Sequence, residues 1–266
     1  MTTIPFTPRR FRTAAAHYLQ GRPAYAVGLF PRIARTCGLG RDHRVLDLGC
    51  GPGQIAVALA PFAGEVVGID PEPEMLAVAA QTAELAGVRI TWQQGSSYDL
   101  GPQLGRFRLV TMGRSFHWMD RVETLRRLDT MIDPEGAVVL IHDDHPKVPD
   151  NRWVRPFREL IERYAGGDSA RAMLRSPEWL NHTAVLLDSP FSRLEEVAVI
   201  ERRRIPTETL IDRALSMSGT APERIADRAT ALIAEIEGLM AEHETDGMVT
   251  EVVSSSALIA RRPDAE

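Results

Sequence analysis

The stretch "RVLDLGCGPGQIAVAL", residues 44–59, decides how the chain is read. A short apolar run ends in three glycines spaced two apart, Gly49, Gly51 and Gly53, and Ile55, Ala58 and Leu59 then fall at helical spacing. A strand that enters a glycine turn and leaves it as a helix is the opening of a βαβ unit. Without side chains in the turn, the backbone can approach a ligand closely and the helix can present its free N–H groups to it. The spacing is not the G-x-G-x-x-G of a dinucleotide site, because the third glycine arrives one residue early and an acid, Asp47, precedes the first.

Working outward, β-branched runs at residues 65–69, 89–93, 108–112 and 137–143 alternate with helical patterns such as Leu76, Ala79, Ala80 and Ala83. This predicts an α/β, Rossmann-like fold with a mostly parallel sheet. Pro71 suits the first position of the second helix and Gly87 its C-terminal cap. The alternation stops after Asp144, and residues 146–190 read as a helical insert carrying Trp153, Phe157, Tyr164 and Trp179. Two later β-rich runs, 194–205 and 248–260, are expected to close the sheet as an antiparallel hairpin. Thr220 and Glu223 have the spacing of a capping box ahead of a long helix between them. The expected division is an N-terminal helical cap segment (1–40), a ligand-binding core (41–145), a helical lid (146–190) and the C-terminal part of the sheet (191–266).

With 44% hydrophobic and 25% charged residues the composition is that of an ordinary globular chain, and no apolar run reaches the length of a membrane span. The first residues lack the apolar core of a secretory signal, so a cytoplasmic protein is expected. Cys37 and Cys50 read as thiols, since a disulfide at Cys50 would distort the glycine turn. The net charge of −5 argues against a general grip on nucleic acid. Lys147 is the only lysine among 31 basic residues, a bias that fits a GC-rich, bacterial genome.

The second strand ends "VVGIDPEPEML" and places Asp70 at its carboxyl tip, where an acid can accept both hydroxyls of a ribose. Together, "VLDLGCGPG" and "VVGIDPEPEML" resemble the first two motifs of class I S-adenosylmethionine-dependent methyltransferases. "LVTMGRSFHWMD", residues 109–120, and "HYLQGRPAY", residues 17–25, resemble elements of a small-molecule subgroup that includes trans-aconitate methyltransferase-like enzymes. The resemblance covers residues 17 to about 143, and the closing run "VTEVVSSSALIARRP" fits the antiparallel last strand of that seven-stranded fold.

The resemblance implies S-adenosyl-L-methionine as cofactor, released as S-adenosyl-L-homocysteine. Gly49 and Gly51 would lie under its methionine portion, Asp47 near its amino group, Asp70 on the ribose and Met75 on the adenine. Ser96 stands where the family usually shows an acid for the adenine amino group, and Ser96 or Ser97 would substitute. Tyr18 and Arg22, from the N-terminal element, and Arg114 are further cofactor candidates, the two arginines being able to hold a carboxylate of either cofactor or acceptor.

His117 follows the fourth strand and His145 closes "HDDH", residues 142–145, so either can serve as base for a hydroxyl or amine. Strand alternation splits the HDDH cluster between two faces, and no metal is expected there. Asp144 or His145 would instead hydrogen-bond the acceptor. The expected activity is methyl transfer to an O or N atom of a small molecule, by a monomer or homodimer. The alternatives are a macromolecular methyltransferase and a cofactor-binding protein without turnover.

Overall fold

In a computed structural model, residue 4 and residues 21–166 and 169–264 are described. They form a seven-stranded sheet in the order β3-β2-β1-β4-β5-β7-β6. The strands are β1 (Arg44–Leu48), β2 (Glu65–Asp70), β3 (Thr91–Gln94), β4 (Phe107–Gly113), β5 (Ile132–Asp144), β6 (Arg193–Pro206) and β7 (Met248–Arg261). The first five are mutually parallel, and β7 runs antiparallel between β5 and β6, as the two late β-rich runs predict. Strand order reverses between β1 and β4, so the crevice beyond their carboxyl ends is the expected ligand site.

Each sheet face carries its own apolar layer. On one, Leu29 and Ile33 of α1 (Leu29–Thr36) and Ile55 and Leu59 of α2 (Gln54–Leu59) pack on Val45, Leu109 and Val139. On the other, Leu125 and Leu128 of α4 (Arg121–Met131) and Val185 and Leu186 of α7 (His182–Leu187) pack on Leu46, Val110 and Val138. Between them in sequence lies α3 (Pro73–Leu85), whose early proline is Pro73 and not Pro71. Pro71 belongs to the turn that leaves β2. Gly87 follows the helix with φ +66°, and its N–H reaches the Glu84 carbonyl at 3.0 Å, as its place in the sequence suggests.

The insert contributes α5 (Val154–Tyr164), α6 (Ser169–Leu174) and α7. It does not cap the sheet alone. Trp153, Phe157 and Ile161 pack with residues of α8 (Glu208–Leu215), α9 (Pro222–Ile225) and α10 (Ala229–Ala241), forming a third apolar cluster. The α5 part of the insert is therefore joined with residues 208–241 in one helical cap, while α7 packs on the sheet. The expected capping box is absent: α9 starts behind Ala221, and the Thr220 hydroxyl donates to the Ala214 carbonyl at 2.6 Å. Thr220 is fully buried, so its hydroxyl is used to close α8 instead. Within the N-terminal segment, α1 lies on the sheet, while Arg22 and Pro23 run along the mouth of the crevice.

Candidate active site

One continuous cavity of about 580 Å3 opens where strand order reverses. Its floor is the glycine turn. Gly49, Gly51 and Gly53 all have left-handed backbones, with φ of +68°, +52° and +80°. The N–H groups of Gly49 and Cys50 both reach the Ile69 carbonyl, at 2.8 and 3.0 Å, which ties the turn to the end of β2. A methyl group on Gly49 would stand 2.6 Å from Cβ of Ser115, whereas one on Gly51 would meet nothing within 4 Å. The first glycine is required by packing. The second leaves open the space a ligand needs.

Asp70 stands at the tip of β2 beside this floor. Its Oδ2 accepts from the Gly51 N–H at 2.8 Å and its Oδ1 from the Glu72 N–H at 2.9 Å, so each oxygen keeps a lone pair. Burial pushes the carboxyl up to about 6, against those two hydrogen bonds. Two outward lone pairs at a strand tip fit the two hydroxyls of a ribose. Met75, 3% exposed on α3, supplies an apolar wall next to it. Ser96 and Ser97 also line the cavity, but the Ser96 hydroxyl is engaged. It accepts from Tyr98 N–H at 3.3 Å and donates to Asp99 at 2.9 Å, closing a capping box. Asp47 lies outside the lining. It is 1% exposed behind the turn, where its carboxylate accepts from the Thr111 hydroxyl at 2.9 Å and the Ala56 N–H at 3.2 Å. Burial raises its carboxyl to about 7. It braces the turn from beneath.

The other end of the cavity is made of side chains. Arg114, after β4, holds a left-handed backbone (φ +56°) uncommon for a residue other than glycine. Its guanidinium pairs with Asp143, donates to the Pro23 carbonyl at 2.8 Å and lies 4.4 Å over the Tyr25 ring. Burial alone would raise the Asp143 carboxyl, but Arg114 holds it below the ordinary range. Arg22 lines the same wall and reaches the Ser216 carbonyl at 3.4 Å. Tyr18 lies outside the described residues. His117 lines the cavity from the one-turn helix after β4, 4.5 Å from the Trp118 ring and stacked 6.2 Å from His182.

The HDDH segment divides differently from a simple alternation. His142, Asp143 and His145 all line the cavity, while Asp144 stands outside the lining and accepts from Arg158 at 3.3 Å. His145 hydrogen-bonds Glu251 of β7 at 3.2 Å and stands edge-on to Trp153. Among the described residues no group of three or more histidine, cysteine or acidic side chains could hold a metal ion.

Several lining residues were not singled out from the sequence. His182, from α7, is pushed down to about 4 by burial, helped by Arg121 and His142, so it is neutral at physiological pH. Arg121 places it: the guanidinium lies 3.7 Å over Trp179 and donates to the Leu180 carbonyl at 2.6 Å, latching the cap to α4. Arg213 of α8 also lines the cavity and pairs with Glu251. The one available signal was Glu251 itself, a lone acid in the apolar run "MVTEVVSSSALIA".

Residues 45–136 match the family model described as a methyltransferase domain. A ubiquinone biosynthesis O-methyltransferase of Azorhizobium caulinodans is 36% identical over 112 residues, 42% of this chain but only 44% of that protein's length. An uncharacterized methyltransferase of Mycobacterium tuberculosis is 28% identical over 245 residues, 88% of this chain and 86% of that protein. The fold is that of a methyltransferase of Geobacter sulfurreducens solved with S-adenosyl-L-homocysteine: TM-score 0.53, 19% identity, 99% of this chain and 100% of that one. The chain therefore carries a methyltransferase domain over residues 45–136, set in the Rossmann-like fold of class I methyltransferases. These relatives are named for a different acceptor or for none, so they do not single out the trans-aconitate-like subgroup. No helix among the described residues is long and apolar enough to cross a membrane.

Proposed function

We propose that the protein methylates the oxygen of a small, hydroxyl-bearing and partly aromatic molecule. When bound, S-adenosylmethionine supplies an already activated methyl group, so the protein's tasks are alignment, exclusion of water and handling of the acceptor proton. Asp70 holds the ribose, Met75 and Ser97 border the adenine, and Gly49 and Gly51 leave room for the methionine portion. Arg22, at the mouth, takes the cofactor's carboxylate. His117, His182 and His145 face the acceptor, among Phe116, Trp118 and Phe157.

The observation that carries this reading is the state of the arginines at the acceptor end. Arg114 is matched by Asp143, Arg213 by Glu251, Arg158 by Asp144 and Arg175 by Glu162. An acidic acceptor would meet four guanidinium groups that already have carboxylate partners, Glu251 being shared by Arg213 and Arg203, in a pocket of aromatic walls and imidazoles. A neutral hydroxyl suits them. The cavity volume is that of a small-molecule site, about 300–1,000 Å3, and the relative named for an O-methyltransferase activity agrees in direction.

The test is methyl-labelled S-adenosylmethionine offered with matched panels of phenols, alcohols, carboxylic acids and amines. Label transfer to phenols or alcohols is the expected result. Preferential transfer to carboxylic acids or amines would overturn the assignment of the acceptor. Failure of S-adenosylhomocysteine to bind the folded protein would overturn the cofactor roles as well.

A further inference from the structure

Glu251 is the least explained charge in the molecule. It lies on β7 with a side chain 0% exposed, and two guanidinium groups and one imidazole converge on it. Oε2 receives Arg213 at 2.8 Å and the His145 Nε2 at 3.2 Å. Oε1 receives Arg203 at 2.7 Å and the second Arg213 nitrogen at 3.3 Å. Four contacts fill the acceptor sites of one carboxylate. Because the arginines only donate, the carboxylate is ionised and accepts throughout, and the proton between it and His145 belongs to Nε2 of the ring.

That assignment has a consequence at the other nitrogen. In a neutral imidazole with a proton on Nε2, Nδ1 carries the lone pair. The Nδ1 of His145 is buried and has no hydrogen-bond partner among the described residues, and the His145 side chain is 8% exposed and lines the cavity. A buried acceptor without a donor is costly unless something supplies one. The ring is also held in place. Trp153 lies 6.0 Å away edge-on and is anchored by its indole N–H to the Thr250 carbonyl at 2.9 Å. Asn151 bridges the loop after His145 to β7, through the Pro146 and Val252 carbonyls and the Val252 N–H, at 2.8, 2.8 and 2.9 Å.

We propose that Glu251 is a positioning residue that fixes His145 in the Nε2–H tautomer, so that Nδ1 receives the hydroxyl of the methyl acceptor and takes its proton. The inference rests on the reading of the site as one for a small hydroxyl-bearing acceptor. The acceptor O–H bond breaks as an N–H bond forms at Nδ1, while Nε2 keeps its proton and donates it as a hydrogen bond to the Glu251 carboxylate, which stabilises the resulting imidazolium. The proton is later released to water. Arg213 and Arg203 keep Glu251 ionised; burial alone would push its carboxyl up, but the His145 hydrogen bond and the two guanidinium groups hold it well below the ordinary range. Asp143 of β5 also acts electrostatically on this ring. His117 is then a wall of the acceptor site and His145 its base.

The experiment is long-range 1H–15N correlation NMR on the full chain labelled at histidine, with the His145 signals assigned by their loss in His145→Gln. Wild-type protein is expected to show a protonated Nε2 and an unprotonated Nδ1 at neutral pH. The opposite tautomer, or a ring averaging between the two, would overturn the proposal without need of a variant. In Glu251→Gln the single tautomer is expected to give way to an averaged pair, and an unchanged single tautomer would remove Glu251 from the role. Phenol, titrated as probe into protein saturated with S-adenosylhomocysteine, is expected to shift Nδ1 saturably upfield. No shift would overturn the role of Nδ1 toward a hydroxyl. Failure of the cofactor reading would appear separately, as no binding of S-adenosylhomocysteine with the tautomer intact.

Discussion

The two ends of the cavity are built by different means. The end proposed for the cofactor is made of backbone: a left-handed glycine turn after β1 and one acid at the tip of β2, both specified within residues 45–75. The end proposed for the acceptor is made of side chains from distant segments, with His117, His145, His182, Arg213 and Glu251 brought together by the cap and the last strand. A site made of backbone tolerates few residue types, because its geometry is the φ angle itself. A site made of side chains depends on which charges pair after burial, and its chemistry can change without a change of fold.

If this contrast is right, the largest effect falls on the floor of the cofactor end. Gly49→Ala combines a left-handed alanine with a clash against Ser115, together roughly 2–4 kcal/mol, and should weaken S-adenosylhomocysteine about 100-fold or more in calorimetry. Gly51→Ala bears only the backbone cost, roughly 1–2 kcal/mol, because its methyl group meets no protein atom. Equal thermal destabilisation by the two would show that packing does not distinguish them.

Next in size is the latch of the acceptor end. Arg121→Ala removes the stacking on Trp179 and the bond to Leu180, a loss of roughly 2–3 kcal/mol. Amide exchange should quicken across residues 179–187, with S-adenosylhomocysteine affinity unchanged. A matching loss of cofactor affinity would mean that the two ends are one unit.

A smaller, graded effect is expected from pH. Asp70 has a folded-state carboxyl raised to about 6 by burial, above its unfolded value. Its contribution to the stability of the free protein is therefore full below about pH 4 and lost as pH rises through about 6. Binding runs the other way, because ribose hydroxyls donate to the ionised form. S-adenosylhomocysteine affinity should rise between about pH 5 and 7, by up to tenfold per unit below the carboxyl's midpoint. Asp70→Asn should bind weakly and with a flatter profile, and a profile unchanged in that variant would take Asp70 out of the ribose site.

The smallest effect is expected at Arg155, whose pairing with Glu159 is exposed and one turn apart on α5. Arg155→Ala should leave the midpoint of thermal unfolding essentially unchanged. A clear fall would mean that the cap depends on its outer face as well as on its buried cluster.

Much of this was legible before any coordinates. The five parallel strands and the late antiparallel pair follow from β-branched runs and their spacing, and the glycine turn and Asp70 from nine and eleven contiguous residues. Pro71 and Thr220 were misread for a common reason: a helix start has several local spellings, and burial of Thr220 against Ala214 chose another. Asp47 has a motif position that says it matters, but not that its carboxylate faces Thr111 and away from the cavity.

By itself, then, the sequence determined the class of fold and the residues of its glycine turn, because conformations with positive φ and strand periodicity are written in neighbouring residues. The acceptor end was decided only by tertiary structure. Glu251 lies 106 positions from His145, and which carboxylate neutralises which arginine, and which imidazole nitrogen is left with a lone pair, are settled when those groups lose water together.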